Sequence, residues 1–207
     1  FPIQNYSSIN HLKRIIALCL RFKNNCLLQR VNRNYGPLTV RELNNALTNL
    51  IKIVQLSEFH QEIINLNKNK SINIKSGILN LSPFLDNQGI LRVGGRLQQS
   101  NFTYDKCHPI LLPKKHHFTN LIFRDMHIRL CHPGPRFLLI SIREQFWPIG
   151  GKQLAKKITR ECITCFRCKP TSINPIMGSL PPQRTEMTYP FYCTGVDYAG
   201  PYLLKDK

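Results

Sequence analysis

The sequence predicts a mainly α-helical protein with a short β-hairpin, and a three-helix module follows the hairpin. Apolar residues recur at three- and four-residue spacing in several segments, which is the periodicity of an amphipathic helix. Two short apolar runs flank a turn-forming sequence at residues 86–89. Further along, two histidines and two cysteines follow in an order that can organise a small helical module.

Residues 1–75 are predicted to form a helical region. Residues 9–25 carry an apolar stripe, with the charged side chains largely off it. Thr39 precedes Glu42 by three residues, which is the signature of a capping box. The helix that begins there is expected to continue to about Leu66, where a polar stretch follows.

Residues 76–113 are predicted to form the β-hairpin and a connector. The runs Ile78–Leu85 and Ile90–Leu97 are apolar, and the residues between them tolerate the positive φ angles of a hairpin turn. The pair Gly94-Gly95 inside the second run indicates a bulge or a close backbone contact.

Residues 114–169 are predicted to form the three-helix module. Trp147, the single tryptophan, lies between its second and third helices and is expected to close a small core. After the module, several prolines in residues 170–188 indicate an extended linker, and a strand-like stretch begins at Tyr189. The three predicted helices cover the segment from Pro113 to Met126, residues 136–145 and residues 152–161.

The chain is strongly basic, with 29 lysines and arginines against 11 acidic residues and a formal charge of +18. That sign suits a polyanion, so nucleic acid is the first partner to consider. A membrane is not expected, because no apolar run approaches the ~18 residues that a spanning helix needs. Three of the eight cysteines fall within residues 162–168, which favours metal binding in a reducing intracellular compartment over a disulfide framework.

His127, His132, Cys162 and Cys165 have the residue types and order of a zinc site. On one continuous helix, two residues five apart point about 140° away from each other, so the two imidazoles would not converge. The break at Pro133-Gly134 resolves this, since His127 can end a helix while His132 lies on the turn beyond it. The cysteine pair needs only a tight turn.

Cys168 extends the cysteine knuckle and is an alternative to Cys165 as a ligand, although the first spacing is the commoner one. A structural zinc ion contributes on the order of 10–16 kcal/mol in small modules, so the module is expected to unfold without metal. It remains basic when loaded, because two thiolates neutralise Zn²⁺. Candidate phosphate contacts, for which plain solvation is the alternative, are Arg129, Arg136, Lys152, Lys156, Lys157 and Arg160.

Several longer motifs stand out along the chain. They include Gly89-Ile90-Leu91-Arg92-Val93-Gly94-Gly95-Arg96-Leu97, His108-Pro109-Ile110-Leu111-Leu112-Pro113 and Phe146-Trp147-Pro148. The remaining motifs lie at residues 127–134, 162–165, 180–184, 190–191 and 194–201. Together they resemble the integrase of LTR retroelements, most closely that of the Pao/BEL type.

This resemblance implies that residues 189–207 begin a truncated α/β core of the ribonuclease H-like type, with its first strand. In such a core three carboxylates hold two divalent ions, Mg²⁺ or Mn²⁺, for strand transfer. Asp197 matches the first carboxylate, and Asp206 is too close to it to be another. The fragment alone is therefore expected to have no integrase activity, while its full-length parent would be an enzyme.

The family implies a zinc module that positions the enzyme on the DNA ends of the element, with a possible homo-oligomer. A different class of function, a protein-interaction module that pairs subunits without touching DNA, stays open, and a salt titration of DNA binding separates the two. A host-adopted zinc-finger transcription factor ranks last, since no second finger is present. A degenerate copy with no present function is also compatible with the sequence.

Overall fold

A computed structural model of the chain describes residues 2–74, 76–95, 100–170 and 174–200. It has two compact units, Phe1–Pro170 and Thr171–Lys207. The segments predicted as 1–75, 76–113 and 114–169 all lie in the first unit. The predicted strand end at Leu97, and Asp206, lie outside the described residues.

Helix α1 spans Ile9–Leu27 and packs against α2, which spans Val40–Glu58. The capping box is formed as predicted: the Glu42 backbone N–H donates to the Thr39 hydroxyl, and the Glu42 carboxylate accepts from the Thr39 N–H. Arg21 on α1 binds the same carboxylate at 2.7 Å. This contact joins the start of α2 to the middle of α1.

The long second helix of the prediction is divided at Phe59. This residue has φ −120° and ψ 32°, outside the helical region, and α3 spans His60–Asn67 beyond it. The Phe59 ring is buried in a second hydrophobic cluster with Ile63 and Leu111. Phe59 thus packs into this second cluster at the point where the helix is interrupted.

The hairpin is present but shorter than predicted, and it belongs to a four-stranded sheet in the order β1-β2-β3-β4. Residues 79–81 form a 3-10 turn instead of strand, and left-handed Ser82 follows them. Gly94 makes the predicted close contact, since a Cβ there would clash with the Ser82 carbonyl oxygen. The strands are β1 (Pro83–Leu85), β2 (Leu91–Val93), β3 (Ile110–Leu112) and β4 (Phe146–Pro148), with β1-β2-β3 antiparallel and β3-β4 parallel.

The module contains its three predicted helices and one more. They are α5 (His117–Arg129), α6 (Pro135–Arg143), α7 (Gly151–Glu161) and α8 (Ile163–Cys168), after the short α4 (Tyr104–Cys107). Side chains of α1, α2, α5, α6 and α7 share one hydrophobic core. No helix within the described ranges is both long and apolar enough to cross a membrane.

In the second unit, the described residues 174–200 contain one short helix, α9 (Pro182–Thr185). The strand expected from Tyr189 is not formed there: residues 189–200 are irregular and exposed. A strand exists only through hydrogen bonds to a neighbouring strand. None of these residues is in the sheet, so the expected first strand of a ribonuclease H-like core has no partner in the described part of this unit.

Candidate metal centre

Helix α5 places His127 in the interior of the first unit. The histidine lies in the last turn of the helix, on the side that also buries Phe123 one turn earlier, and it is 2% exposed. Its backbone position is therefore fixed by the packing of the whole helix. At the other end, the His116 side chain accepts a hydrogen bond from the Phe118 N–H and caps the helix.

Two consecutive left-handed residues bring His132 back towards His127. Cys131 has φ +57° and His132 has φ +60°. The His132 N–H donates to the His127 carbonyl oxygen at 2.8 Å, and the Cys131 N–H donates to that of Ile128 at 3.0 Å. The chain break that the sequence assigned to Pro133-Gly134 is thus made two residues earlier, by Cys131 and His132, while Pro135 begins α6.

The two cysteines lie where α7 passes into α8. Cys162 ends α7 and is the N-cap of α8, and the Phe166 N–H donates to its carbonyl oxygen at 2.9 Å. Cys165 is in the first turn of α8. The tight turn expected for this pair is the start of a six-residue helix, which places side chains three residues apart on one face.

The donor atoms of the four residues converge, all lying within 4.8 Å of one another. His127 Nε2 is 3.2 Å from His132 Nδ1 and 3.2 Å from Cys165 Sγ, and Cys162 Sγ is 3.2 Å from His132 Nδ1. Bonds of about 2.0–2.3 Å in a tetrahedron separate neighbouring donors by about 3.3–3.8 Å. Two imidazoles and two thiols at this spacing fit a zinc ion.

Burial and hydrogen bonds shift the pKa values of three of the donors. Burial lowers the pKa of His127, with a smaller contribution from His132, and this favours the neutral ring that binds metals. Burial raises the pKa of the Cys162 thiol, but hydrogen bonds from Cys165 and Thr164 outweigh it and the net shift is downward. Burial and the contact with Cys162 raise the pKa of Cys165. The charge on one thiol therefore opposes the ionisation of the other.

One polar atom beside the cluster is unsatisfied. With His127 Nε2 facing the other donors, His127 Nδ1 is buried and has no hydrogen-bond partner among the described residues. Such an atom costs about 1–3 kcal/mol in a protein interior. This unsatisfied nitrogen destabilises the fold. The free energy of binding a structural zinc ion is large enough to offset that cost.

The alternative ligand, Cys168, is exposed at the end of α8 and lies outside the four-residue cluster. Cys131 is also exposed. Asp197 lies exposed in the second unit. The sequence therefore pointed to the side chains that converge, but gave no signal for the left-handed turn that makes them converge.

All six candidate phosphate contacts are exposed. Two of them have acidic neighbours, Arg129 with Asp125 at 3.5 Å and Lys157 with Glu161 at 3.7 Å. The structure shows no ion pair for the other four among the described residues. Three of those lie on the outer face of α7, opposite its buried face: Lys152, Lys156 and Arg160.

Residues 114–171 match the family model of the integrase zinc binding domain. The match supports an integrase region. The matched segment contains all four converging donors, so the family match and the geometry together support a structural zinc ion. No curated protein and no solved structure matches the chain. The matched segment ends before Asp197, so the match bears on the zinc-binding domain alone.

Proposed function

We propose that this chain is the zinc- and nucleic-acid-binding region of a retrotransposon integrase of the Pao/BEL type, and that it supports DNA integration. The observation that carries the proposal is the convergence of His127, His132, Cys162 and Cys165 inside the segment that matches the integrase zinc binding domain. Asp197 is proposed as the first carboxylate of a triad whose other members are needed before Mg²⁺ or Mn²⁺ can be held for catalysis.

In this proposal the ion is structural. His127 and His132 hold the end of α5, and Cys162 and Cys165 hold the junction of α7 and α8. An ion bound by all four supplies a cross-link between these two places and no reaction chemistry. The outer face of α7 is thereby fixed relative to α5.

Metal content tests the ligand set. Replacing Cys162 with Ser should remove stoichiometric zinc from the purified protein, whereas replacing Cys168 with Ser should leave about one zinc per chain. These two variants are matched, since each removes one thiol from an end of α8, Cys162 at its N-cap and Cys168 at its last residue. Loss of zinc from the Cys168 variant together with retention in a Cys165 variant would identify Cys168 as the fourth ligand instead.

The outer face of α7 is the proposed contact with phosphate. Lys152, Lys156 and Arg160 follow one another at four-residue spacing, about 6 Å apart along the helix axis, on the side opposite buried Leu154 and Ile158. They have no carboxylate within ion-pair distance in the described part of the chain, so their charge is available to a polyanion. The protein's net charge of +18 adds long-range attraction.

A salt titration of binding to a short DNA duplex tests this contact. Each neutralised phosphate contributes about −0.9 to the slope of log K against log salt, so changing Lys152, Lys156 and Arg160 to Gln should make the slope shallower by about 2.7. A matched control changes three exposed basic residues elsewhere: Arg30, Lys68 and Lys70. Equal slopes for the two triple variants would contradict a role for α7.

The alternative is a multimerisation module that does not touch DNA. Exposed apolar side chains on the module favour it: Phe137 and Ile140 are 58% and 60% exposed on α6, and Phe166 is 54% exposed on α8. Light scattering decides between the two. A stable dimer that Phe137→Ser and Ile140→Ser dissociate, together with absent DNA binding at low salt, would replace the DNA-binding proposal with this one.

A further inference from the structure

Helix α1 has a second apolar stripe, on the side that faces away from the core. Its buried stripe contains Ile9, Leu12 and Ile16. Leu18 and Phe22, four residues apart, point the other way and are 52% and 72% exposed. A helix that is apolar on both faces is normally covered on both faces, and the described residues of the first unit cover only one.

The outer stripe continues along the helix. Half-buried Ile15 precedes Leu18 by three residues, and exposed Cys19 and Cys26 lie beside Phe22 at helical spacing. From Ile15 to Cys26 the stripe runs for about 16 Å, or three turns. We call this set of residues, Ile15, Leu18, Cys19, Phe22 and Cys26, the outer stripe of α1.

Basic residues border the outer stripe on both sides. Helical geometry places Arg14 about 90° to one side of the stripe and Lys23 about 90° to the other. Both are exposed, and neither has an ion-pair partner among the described residues. The only basic residue of α1 with such a partner is Arg21, which binds Glu42. Helix α1 contains no acidic residue.

This charge pattern selects among possible occupants. If a second copy of the chain packed its own outer stripe against this one, basic residues of both copies would border the contact, and α1 contains no carboxylate to pair with them. Like charges so placed are destabilising. A nucleic acid would pair with the two basic residues but would leave the apolar side chains between them without contacts.

We propose that the outer stripe of α1 is the docking surface for an amphipathic helix of another protein, whose apolar ridge is bordered by aspartate or glutamate. The apolar ridge would bury Leu18 and Phe22, and its carboxylates would pair with Arg14 and Lys23. The surface lies on α1, outside the segment that matches the integrase zinc binding domain, so it does not depend on the function proposed for that segment.

Binding of three designed helical peptides to the full zinc-loaded chain tests the proposal. Each has about 18 residues: one has leucines at three- and four-residue spacing bordered by glutamates, one has the same border in lysine, and one scrambles the acidic peptide. The acidic peptide should bind at least about tenfold more tightly than the other two. Equal affinities for the acidic and scrambled peptides would overturn the proposal.

Variants locate the binding. The double variant Leu18→Ser with Phe22→Ser should weaken binding of the acidic peptide by at least about tenfold. The control pair on α2, Ile53→Ser with Leu56→Ser, should leave its affinity unchanged. Arg14→Glu with Lys23→Glu should reverse the preference in favour of the lysine peptide, and this charge exchange removes no apolar packing. An unchanged preference in that variant would overturn the proposal, even if the serine pair failed to fold.

Two other outcomes would assign the surface to a different occupant and thereby reject the proposal. One is a dimer, seen by light scattering, that the serine pair dissociates. The other is protection of the α1 amides from hydrogen exchange by a DNA duplex and not by the acidic peptide. Protection of the α1 amides by the acidic peptide alone supports the proposal.

Discussion

Cys131 and His132 adopt a backbone conformation that costs L-amino acids roughly 1–2 kcal/mol each, because Cβ approaches the following carbonyl oxygen. The two strained residues lie at the turn that lets the ring nitrogens of His127 and His132 face one point, although these histidines are five residues apart. Strain of this kind persists where the surrounding structure over-determines it. Here the packing of α5, the start of α6 at Pro135 and the proposed zinc ion all impose the same turn.

Replacement of Cys131 separates the turn from the metal. Cys131→Gly should keep about one zinc per chain and raise the free energy of unfolding by about 1 kcal/mol, because glycine adopts φ +57° without the Cβ contact. Cys131→Val should lower it, since a β-branched residue is least tolerant there. Denaturant unfolding of the zinc-loaded protein measures both. Loss of zinc from the glycine variant would show that the Cys131 thiol takes part in the site.

The elements differ in how well the sequence predicts them. Helix α1 repeats its apolar spacing over five turns, and Thr39 with Glu42 marks the start of α2, so α1 and the start of α2 were predicted close to their observed positions. The end of α2 was predicted wrongly, because the apolar spacing continues past the break at Phe59. Strands β3 and β4 have three residues each, which is too short for a period of two to be recognised. They form because they pair with each other, and this pairing joins residues far apart in the sequence, so a local sequence pattern does not predict it.

Gln55 shows how a helix substitutes for missing strand pairing. It is 1% exposed on α2, and its side-chain amide donates to the carbonyl oxygens of Leu91 and Leu111 at 2.9 and 2.8 Å. It also accepts from the Leu91 N–H at 2.8 Å. The side chain therefore bridges β2 and β3, whose own pairing is limited to Arg92 and Ile110.

Gln55→Leu should lower the free energy of unfolding by about 3 kcal/mol, because it leaves three backbone groups buried without partners. The control, Gln153→Ala on the exposed face of α7, should change it by less than about 0.5 kcal/mol. Thermal or denaturant unfolding measures the difference. If the leucine variant matched the control, β2 and β3 would be held together by packing alone.

The N-cap of α5 predicts a dependence of stability on pH. Burial lowers the pKa of His116, Glu58 opposes this shift and His117 adds to it. The folded state therefore prefers the neutral ring, which accepts the hydrogen bond from the Phe118 N–H. As pH falls below about 6.5 the unfolded chain takes up this proton before the folded chain does, so the contribution is present above that pH and is lost as pH falls.

His116→Asn isolates this contribution, because asparagine is a good N-cap that does not titrate. Both proteins keep every other titratable group, so the difference between the two unfolding curves reports on His116 and its contacts. The wild-type protein should lose more stability than the variant between about pH 7 and pH 5. Parallel curves would mean that the cap does not respond to protonation.

At the scale of the whole molecule, the front helices and the zinc-binding segment form one body. Leu12 of α1 and Leu50 of α2 are fully buried in the same cluster as Phe118 of α5 and Ile158 of α7. The sequence divided these regions at polar stretches, because a shared core leaves no local mark at a boundary. By contrast the structure brings together the four side chains that the sequence singled out, since spacing and residue type do carry that information.

This shared core changes the expected result of metal removal. The sequence alone indicated a small module that would unfold without zinc, since a short three-helix core stabilises little by itself. In the structure α5 packs against α1, and α7 packs against α5 within the same core, so their packing does not depend on the ion alone. Helix α8 has no buried residue, and residues 130–134 hold a strained turn, so both depend most on the ion.

Chelation of zinc should therefore unfold the molecule locally before it unfolds globally. Hydrogen exchange should rise by several orders of magnitude in residues 130–134 and 162–168, while α1, α2 and the middle of α5 stay protected and the melting temperature falls. Re-addition of zinc should restore both regions together. Simultaneous loss of protection in α1 and α8 would show that the ion supports the entire first unit, and unchanged exchange at residues 130–134 would show that the turn is held by packing without it.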